Sequence, residues 1–196
     1  MSKLSIALLL AIATFAGSAQ AGLIQVKSVT ITNAVNDYLQ VSEFQAYETG
    51  TGNNVALSSA GASATTTTGQ WDSNSGPGEA IDGQYSNLSF PNMYHNSEYT
   101  YGNGNLTITF AGVKELDSIN IYGRSDCCSF RDKYSLSFFD VDGKLLYTAM
   151  NVNAHNDTHM ASVQLPSTNV PEPGSLALLG LGLMGLAGRR LRQRSR

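Results

Sequence analysis

The chain predicts an all-β fold, a β-sandwich or jelly roll. Apolar residues alternate with polar ones at the two-residue period of a strand, and the stretch between the two ends carries almost no helix-period apolar pattern. The alternating runs are short and separated by Gly, Asn, Asp and Ser, in a body rich in Thr and Tyr, as sandwich and barrel sequences are.

The chain starts with Met1-Ser2-Lys3, an apolar run from Leu4 to Phe15, and Ala19-Gln20-Ala21. A charged start, a short hydrophobic core and an Ala-x-Ala site define residues 1–21 as a secretory signal peptide for signal peptidase. Export places the body where disulfides persist. Alternation then marks strands at Ile24 to Thr32, Leu39 to Tyr47, Leu106 to Phe110, Leu116 to Tyr122, Tyr134 to Phe139, Lys144 to Ala149 and Met160 to Leu165. Asp140-Val141-Asp142-Gly143 supplies a hairpin turn between two of them. Two long polar segments, Ser58 to Gly78 and Gly83 to Asn105, do not read as linkers; stretches of this length within a compact domain are binding loops or disordered. The threonine run Thr65 to Thr68 and Asp72-Ser73-Asn74-Ser75-Gly76 are low-complexity, and local mobility is expected there.

The C-terminal end has its own grammar. Val170-Pro171-Glu172-Pro173 (170–173) leads into an apolar segment, 176–188, and then an arginine-rich tail, 189–196. As a helix the segment spans roughly 20 Å, short of a comfortable bilayer crossing, and the arginines hold its end on the cytoplasmic side. The order of Pro171-Glu172-Pro173, apolar segment and arginine cluster resembles the PEP-CTERM sorting signal of Gram-negative bacteria over residues 169–196. The resemblance implies transient inner-membrane anchoring and processing by an exosortase, which releases or transfers the protein to the cell surface or extracellular matrix. An ordinary tail anchor is the alternative.

Residues 22–168 remain, a length suited to one domain with a substantial core. This body carries six Lys and Arg against fourteen Asp and Glu, a net charge of −8. Such a balance argues against nucleic acid and disfavours a heparin-like polyanion.

The chain's two cysteines are adjacent, in Arg124-Ser125-Asp126-Cys127-Cys128-Ser129-Phe130-Arg131. In an exported protein, neighbouring thiols that oxidise together close a small rigid ring, an apolar tile; two free thiols packed as small hydrophobes are the alternative. Guanidinium groups of Arg124 and Arg131 donate paired hydrogen bonds of the kind that vicinal hydroxyls accept, and a neutral His95 nitrogen can pair with a further hydroxyl. Asp126 is placed to lock an arginine by a charge-assisted bond. A solvated ion-pair cluster at a strand end is the other reading of Arg124, Asp126 and Arg131.

Tyr38-Leu39-Gln40-Val41-Ser42-Glu43-Phe44-Gln45-Ala46-Tyr47, then Asn54-Val55-Ala56-Leu57, then Ala80-Ile81-Asp82-Gly83 resemble the discoidin domain of the galactose-binding-like β-sandwich fold over nearly the whole body. Within that superfamily, Arg124-x-Asp126 followed by Arg131, with paired cysteines inside, resembles the signature of the fucose-binding F-type lectins. His95 stands in for the signature's histidine, though 28 residues separate it from Arg124, a longer gap than the family usually has. The resemblance implies a sugar site formed by His95, Arg124, Asp126, Arg131, Cys127 and Cys128. Glu79-Ala80-Ile81-Asp82-Gly83-Gln84 matches a loop that in these lectins helps hold a structural calcium, here by Asp82 and the backbone of Glu79 and Gln84. Calcium takes oxygen ligands only, and the family's usual asparagines are replaced by Glu79 and Gln84, which matters less where carbonyls are the ligands.

His155 and His159 have metal-ligand spacing only on a helix, and their surroundings read as a polar loop. Trp71 is either a stacking platform for a glycan or a plug at the end of the core. No G-x-S-x-G elbow and no nucleotide loop occurs, so the expectation is a non-enzyme. The expected function is an exported lectin-like protein recognising a terminal, fucose-like sugar in exopolysaccharide or on cell surfaces. The alternative is a structural matrix or adhesion protein using the same sandwich for protein contacts.

Overall fold

A computed structural model describes residues 23–97 and 103–166. The signal peptide and the sorting segment, with the helices expected in them, lie outside the described residues. Nine strands and three short 3-10 turns make up the rest: β1 Leu23–Asn33, β2 Gln40–Val41, β3 Glu43–Glu48, β4 Ser63–Thr65, β5 Tyr94–His95, β6 Asn105–Tyr122, β7 Lys133–Phe139, β8 Leu145–Asn153 and β9 Met160–Gln164. The body is all-β, consistent with the expected sandwich.

One strand organises the fold. β6 runs 18 residues and takes different partners along its length. Its first half pairs with β1 and β4, antiparallel in both cases, and its second half with β3 and β9. Two strands were expected here, Leu106 to Phe110 and Leu116 to Tyr122; the backbone instead continues through 111–115. The first half alternates strictly, burying Leu106, Ile108 and Phe110; the second buries Leu116, Ile119 and Ile121, with a one-residue slip between Leu116 and Ile119 where the β3 register shifts. Beyond β1 the sheet continues through β7 to β8.

Burial of these alternating side chains is the main stabilising term. β1 contributes Val26, Val29 and Ile31, and β7 contributes Tyr134, Leu136 and Phe138, all within one apolar cluster. Val26 and Val29 differ in parity, which a flat strand would send to opposite faces; an irregularity between Val26 and Ser28 restores both to the inside. The hairpin between β7 and β8 closes at the anticipated turn. Asp140 Oδ1 accepts the backbone N–H of Asp142 at 2.9 Å and of Lys144 at 2.8 Å, and Gly143 takes the left-handed backbone that the turn requires.

Ser42 interrupts the expected strand Leu39 to Tyr47, splitting it into β2 and β3. β2 turns away to pair with β5, bringing Gln40 opposite His95. The threonine run, expected to be mobile, is tied down: Thr66 Oγ1 meets the Tyr94 hydroxyl at 2.5 Å and donates to the Asn105 carbonyl at 2.8 Å. Side-chain hydroxyls can order a polar run that has no apolar pattern.

Candidate functional site

The loop between β6 and β7 meets β2, β5 and two polar loops at one end of the body. There a cavity of about 330 Å³ is lined by Tyr38, Trp71, Phe90, His95, Arg124, Cys127, Cys128 and Arg131. Its size falls at the lower end of small-molecule pockets. Five of the six residues expected at a sugar site thus line it: Arg124, Cys127, Cys128 and Arg131 from one loop, joined by His95 from a distant segment. The sixth, Asp126, does not line the cavity but acts through Arg124.

Arg124 is held as a fork. Its Nε donates to Asp126 Oδ1 at 2.7 Å and its Nη2 to Oδ2 at 2.9 Å, a bidentate clamp that takes two of the five guanidinium N–H bonds. The Arg124 hydrogen bonds, before any other effect, hold the Asp126 carboxyl below its usual range. Phe90 lies under the guanidinium, with Cζ 5.3 Å from the ring centroid, and its backbone N–H reaches Asp126 Oδ1 at 3.3 Å.

Arg131 is arranged differently. Its Nε lies 2.9 Å from Asp37 Oδ1, so the charge is paired, yet the N–H is not aimed along that line and has no hydrogen-bond acceptor among the described residues. The guanidinium sits between two rings, 5.3 Å from Tyr38 and 5.4 Å from Phe130. A buried donor left unspent is costly unless a ligand or water takes it up.

His95 supplies the complementary group. Its Nδ1 is 2.8 Å from the Asn96 carbonyl, which can only accept, so the Nδ1 carries the proton and a neutral ring keeps its lone pair on Nε2. Burial first, then the nearby Arg124 and Arg131 charges, hold the ring below its ordinary titration range. Tyr38 and Trp71 pack around it, with centroids 5.4 and 5.6 Å away. Trp71 is 56% exposed, so the core-plug reading is replaced by a place on the cavity rim, fixed by its backbone N–H on the His95 carbonyl at 2.8 Å.

Cys127 and Cys128 are joined as a disulfide in the cavity wall. Cys128 adopts a left-handed backbone, and its carbonyl accepts the Arg131 N–H at 3.0 Å, which turns the chain back toward β7. Asp37, Tyr38 and Phe90 were not legible as site residues. Phe90 had the better signal, an aromatic residue stranded in a polar loop; Asp37 and Tyr38 had none.

The calcium loop gives a mixed result. Asp82 is exposed and its Oδ1 accepts the Gln84 backbone N–H at 2.7 Å, an internal turn bond. Among the described residues no three His, Cys, Asp or Glu side chains are grouped to hold a metal ion. Behind the loop, however, Glu43 is fully buried; its Oε2 accepts the Gly83 N–H at 3.3 Å and its Oε1 has no partner among the described residues. Burial, with the Asp82 charge adding to it, pushes the Glu43 carboxyl up to about 8. Glu43 thus lies beside Asp82 as a buried carboxyl group with one oxygen unpaired among the described residues.

His155 and His159 lie in the loop between β8 and β9. His155 Nδ1 pairs with Ser129 Oγ at 3.0 Å, while His159 presents its carbonyl to the Gly123 N–H at 2.8 Å, so the loop reading stands.

Residues 169–193 match the family described as the PEP-CTERM protein-sorting motif. No curated protein matches the chain. No solved structure matches it either. The matched segment covers the expected Pro171-Glu172-Pro173 signal, and it marks an exported protein that an exosortase processes at the membrane.

Proposed function

We propose that the protein is a non-catalytic, exported lectin-like module whose cavity binds a terminal, fucose-like sugar of exopolysaccharide or of a cell surface. The observation that carries this reading is the convergence of two arginine forks, a neutral histidine and a cysteine tile on one cavity of monosaccharide scale. Guanidinium donors from Arg124 and Arg131 face ring or hydroxyl oxygens, His95 Nε2 accepts from a hydroxyl, and the disulfide with Tyr38 and Phe90 covers the apolar C–H face. Trp71 extends that apolar wall at the rim. Its similarity to the F-type lectin signature and the discoidin pattern supports the same reading.

Calcium is the proposed structural cofactor, held by Asp82, the backbone oxygens of Glu79 and Gln84, and the Glu43 carboxylate. When bound it supplies charge to the otherwise unpartnered Glu43 and stiffens the loop. Release at the cell surface or into the matrix is the proposed destination.

The test is glycan-array binding followed by calorimetry on residues 22–168. Binding of a fucosylated glycan that Arg124→Ala and Arg131→Ala each abolish supports the site; unchanged affinity in both variants refutes it. The adhesion reading draws on exposed Val141, Leu145 and Met150 at the β7–β8 hairpin and along β8, at the end of the strand order. Self-association that survives loss of sugar binding and is abolished by Met150→Lys would favour it.

A further inference from the structure

Asp132 is the last residue of the loop that carries Arg124, the cysteine pair and Arg131, fully buried and outside the cavity lining. Its Oδ2 accepts the Arg124 backbone N–H at 2.8 Å, and its Oδ1 accepts from Gln40 Nε2 at 2.8 Å. The same Gln40 Nε2 reaches the Cys128 carbonyl at 3.2 Å. One carboxylate and one amide therefore hold the base of the arginine fork and the carbonyl of the cysteine tile. The Asp132 backbone is itself fixed, donating to the Ser129 carbonyl at 2.9 Å and accepting from the Ala154 N–H at 2.8 Å.

The Gln40 amide makes both bonds with its nitrogen and leaves Oε1 buried without a partner among the described residues. That orientation is the one an ionised carboxylate demands, since it can only accept. A protonated Asp132 has an O–H to donate, and the orphaned Oε1 is an acceptor within the same side chain. Turning the amide over would satisfy the pair, and Nε2 would then leave the Cys128 carbonyl. Two arrangements of one buried network, differing by a proton, make a bistable element.

We propose that Asp132 is the positioning residue of the cavity, its ionised form holding Arg124 and the cysteine tile in place through Gln40 and its protonated form releasing the Cys128 carbonyl. The proposal rests on the sugar-binding reading for its consequence, not for its mechanism. Burial pushes the Asp132 carboxyl up to about 7, against hydrogen bonds from Gln40, Arg124 and Tyr134 that lower it, so the switch operates near neutral pH. The titratable and charged groups around it are Arg124 from its own loop, Tyr134 from β7, whose hydroxyl lies 3.3 Å from Oδ1 while donating to the Gln40 carbonyl at 2.9 Å, and His95 across the β2–β5 pair. His95 titrates below its ordinary range and is separable from Asp132.

The experiment is an NMR titration of the ¹⁵N-labelled exported protein without sugar, from about pH 5.5 to about pH 8.5, paired with calorimetry using L-fucose as the probe. The Arg124 backbone amide and the Gln40 side-chain amide should move together with one midpoint near neutrality. L-fucose should bind about tenfold more weakly at the acid end, the loss expected for one charge-assisted hydrogen bond. Asp132→Asn should abolish the movement and hold affinity at the acid value at every pH. Should that variant not fold, the wild-type titration decides alone. Cross-peaks that stay still, or that follow the His95 ring instead, overturn the proposal. If the wild type binds no L-fucose at any pH, the sugar reading for this probe is lost, while the two cross-peaks still decide the role of Asp132.

Discussion

Raising the pH of the calcium-free protein from about 5 to about 8 should lower its stability, and the two buried carboxyls set the size of the fall. Glu43 is pushed from 4.5 to about 8 and Asp132 from 3.8 to about 7, both chiefly by burial. Both are fully buried in the folded state. Across most of this range the folded protein keeps protons that the unfolded chain has released, so the unfolded state binds fewer protons and stability falls as pH rises. At about 1.4 kcal/mol per pKa unit, each group contributes a penalty of roughly 3–5 kcal/mol once it is ionised. That is a large share of the ~5–15 kcal/mol typical of a folded domain. His95 works in the opposite sense: its folded value is lowered, so it adds stability as pH rises toward its unfolded value and loses it on acidification. Asp126 is also lowered, but its contribution is lost only at more acid pH. Urea unfolding followed by circular dichroism, in chelator, should give a net fall of a few kcal/mol, and Glu43→Gln should remove the Glu43 share. Equal or rising stability from pH 5 to pH 8 in the wild type would refute the assignment of these carboxyls as buried and ionising at a cost.

Calcium should reverse this trend, raising the melting temperature more at about pH 8 than at about pH 5, because it favours the ionised Glu43; equal shifts at both, or a shift retained by Glu43→Gln, would remove Glu43 from the site. Asp126→Asn should weaken L-fucose binding about tenfold with little change in melting temperature, since its ion pair is partly solvent-exposed and contributes little stability while fixing the Arg124 fork. Gly123→Ala should disrupt both fold and site, because a Cβ there would collide with the buried Asp132 carboxyl; a variant with wild-type melting temperature and affinity would contradict the packing described. L-fucose affinity should change less than about twofold between low and moderate salt, whereas a steep salt dependence would mean that unpaired charge drives binding.

The strands were legible because burial on one face imposes alternation, which β7 and the first half of β6 obey strictly and β1 and the rest of β6 keep through local irregularities. Their limits were less so. Nothing in Ala111-Gly112-Val113 reveals that the backbone continues from one half of β6 to the other, because strand continuity depends on partners elsewhere in the chain. β4 and β5 were invisible for the same reason; each is three residues or fewer, ordered by β6 and β2 and not by its own pattern. At the cavity, Arg124, Asp126, Cys127, Cys128 and Arg131 could be read because they are close in sequence. Asp37 and Gln40 could not, since their roles are set by register and loop closure. Asp132 left only a faint trace, a charged residue immediately before the buried alternation of β7.

The charge arrangement explains how an acidic body can present two arginines in a cavity without becoming an anion trap. Arg124 is matched by Asp126 in a bidentate clamp and Arg131 by Asp37 at 2.9 Å, so each guanidinium brings its counter-charge with it. What the cavity then offers a ligand is direction: fixed N–H donors, one imidazole acceptor and an apolar wall. An anionic sugar gains little there, because its carboxylate would have to compete with Asp126 or Asp37 for a fork that is already paired. A neutral hydroxyl does not compete with either aspartate for its arginine. The pairing that neutralises the arginines is therefore also what makes them selective, and it ties the specificity of the site to the two aspartates as firmly as to the residues that touch the ligand.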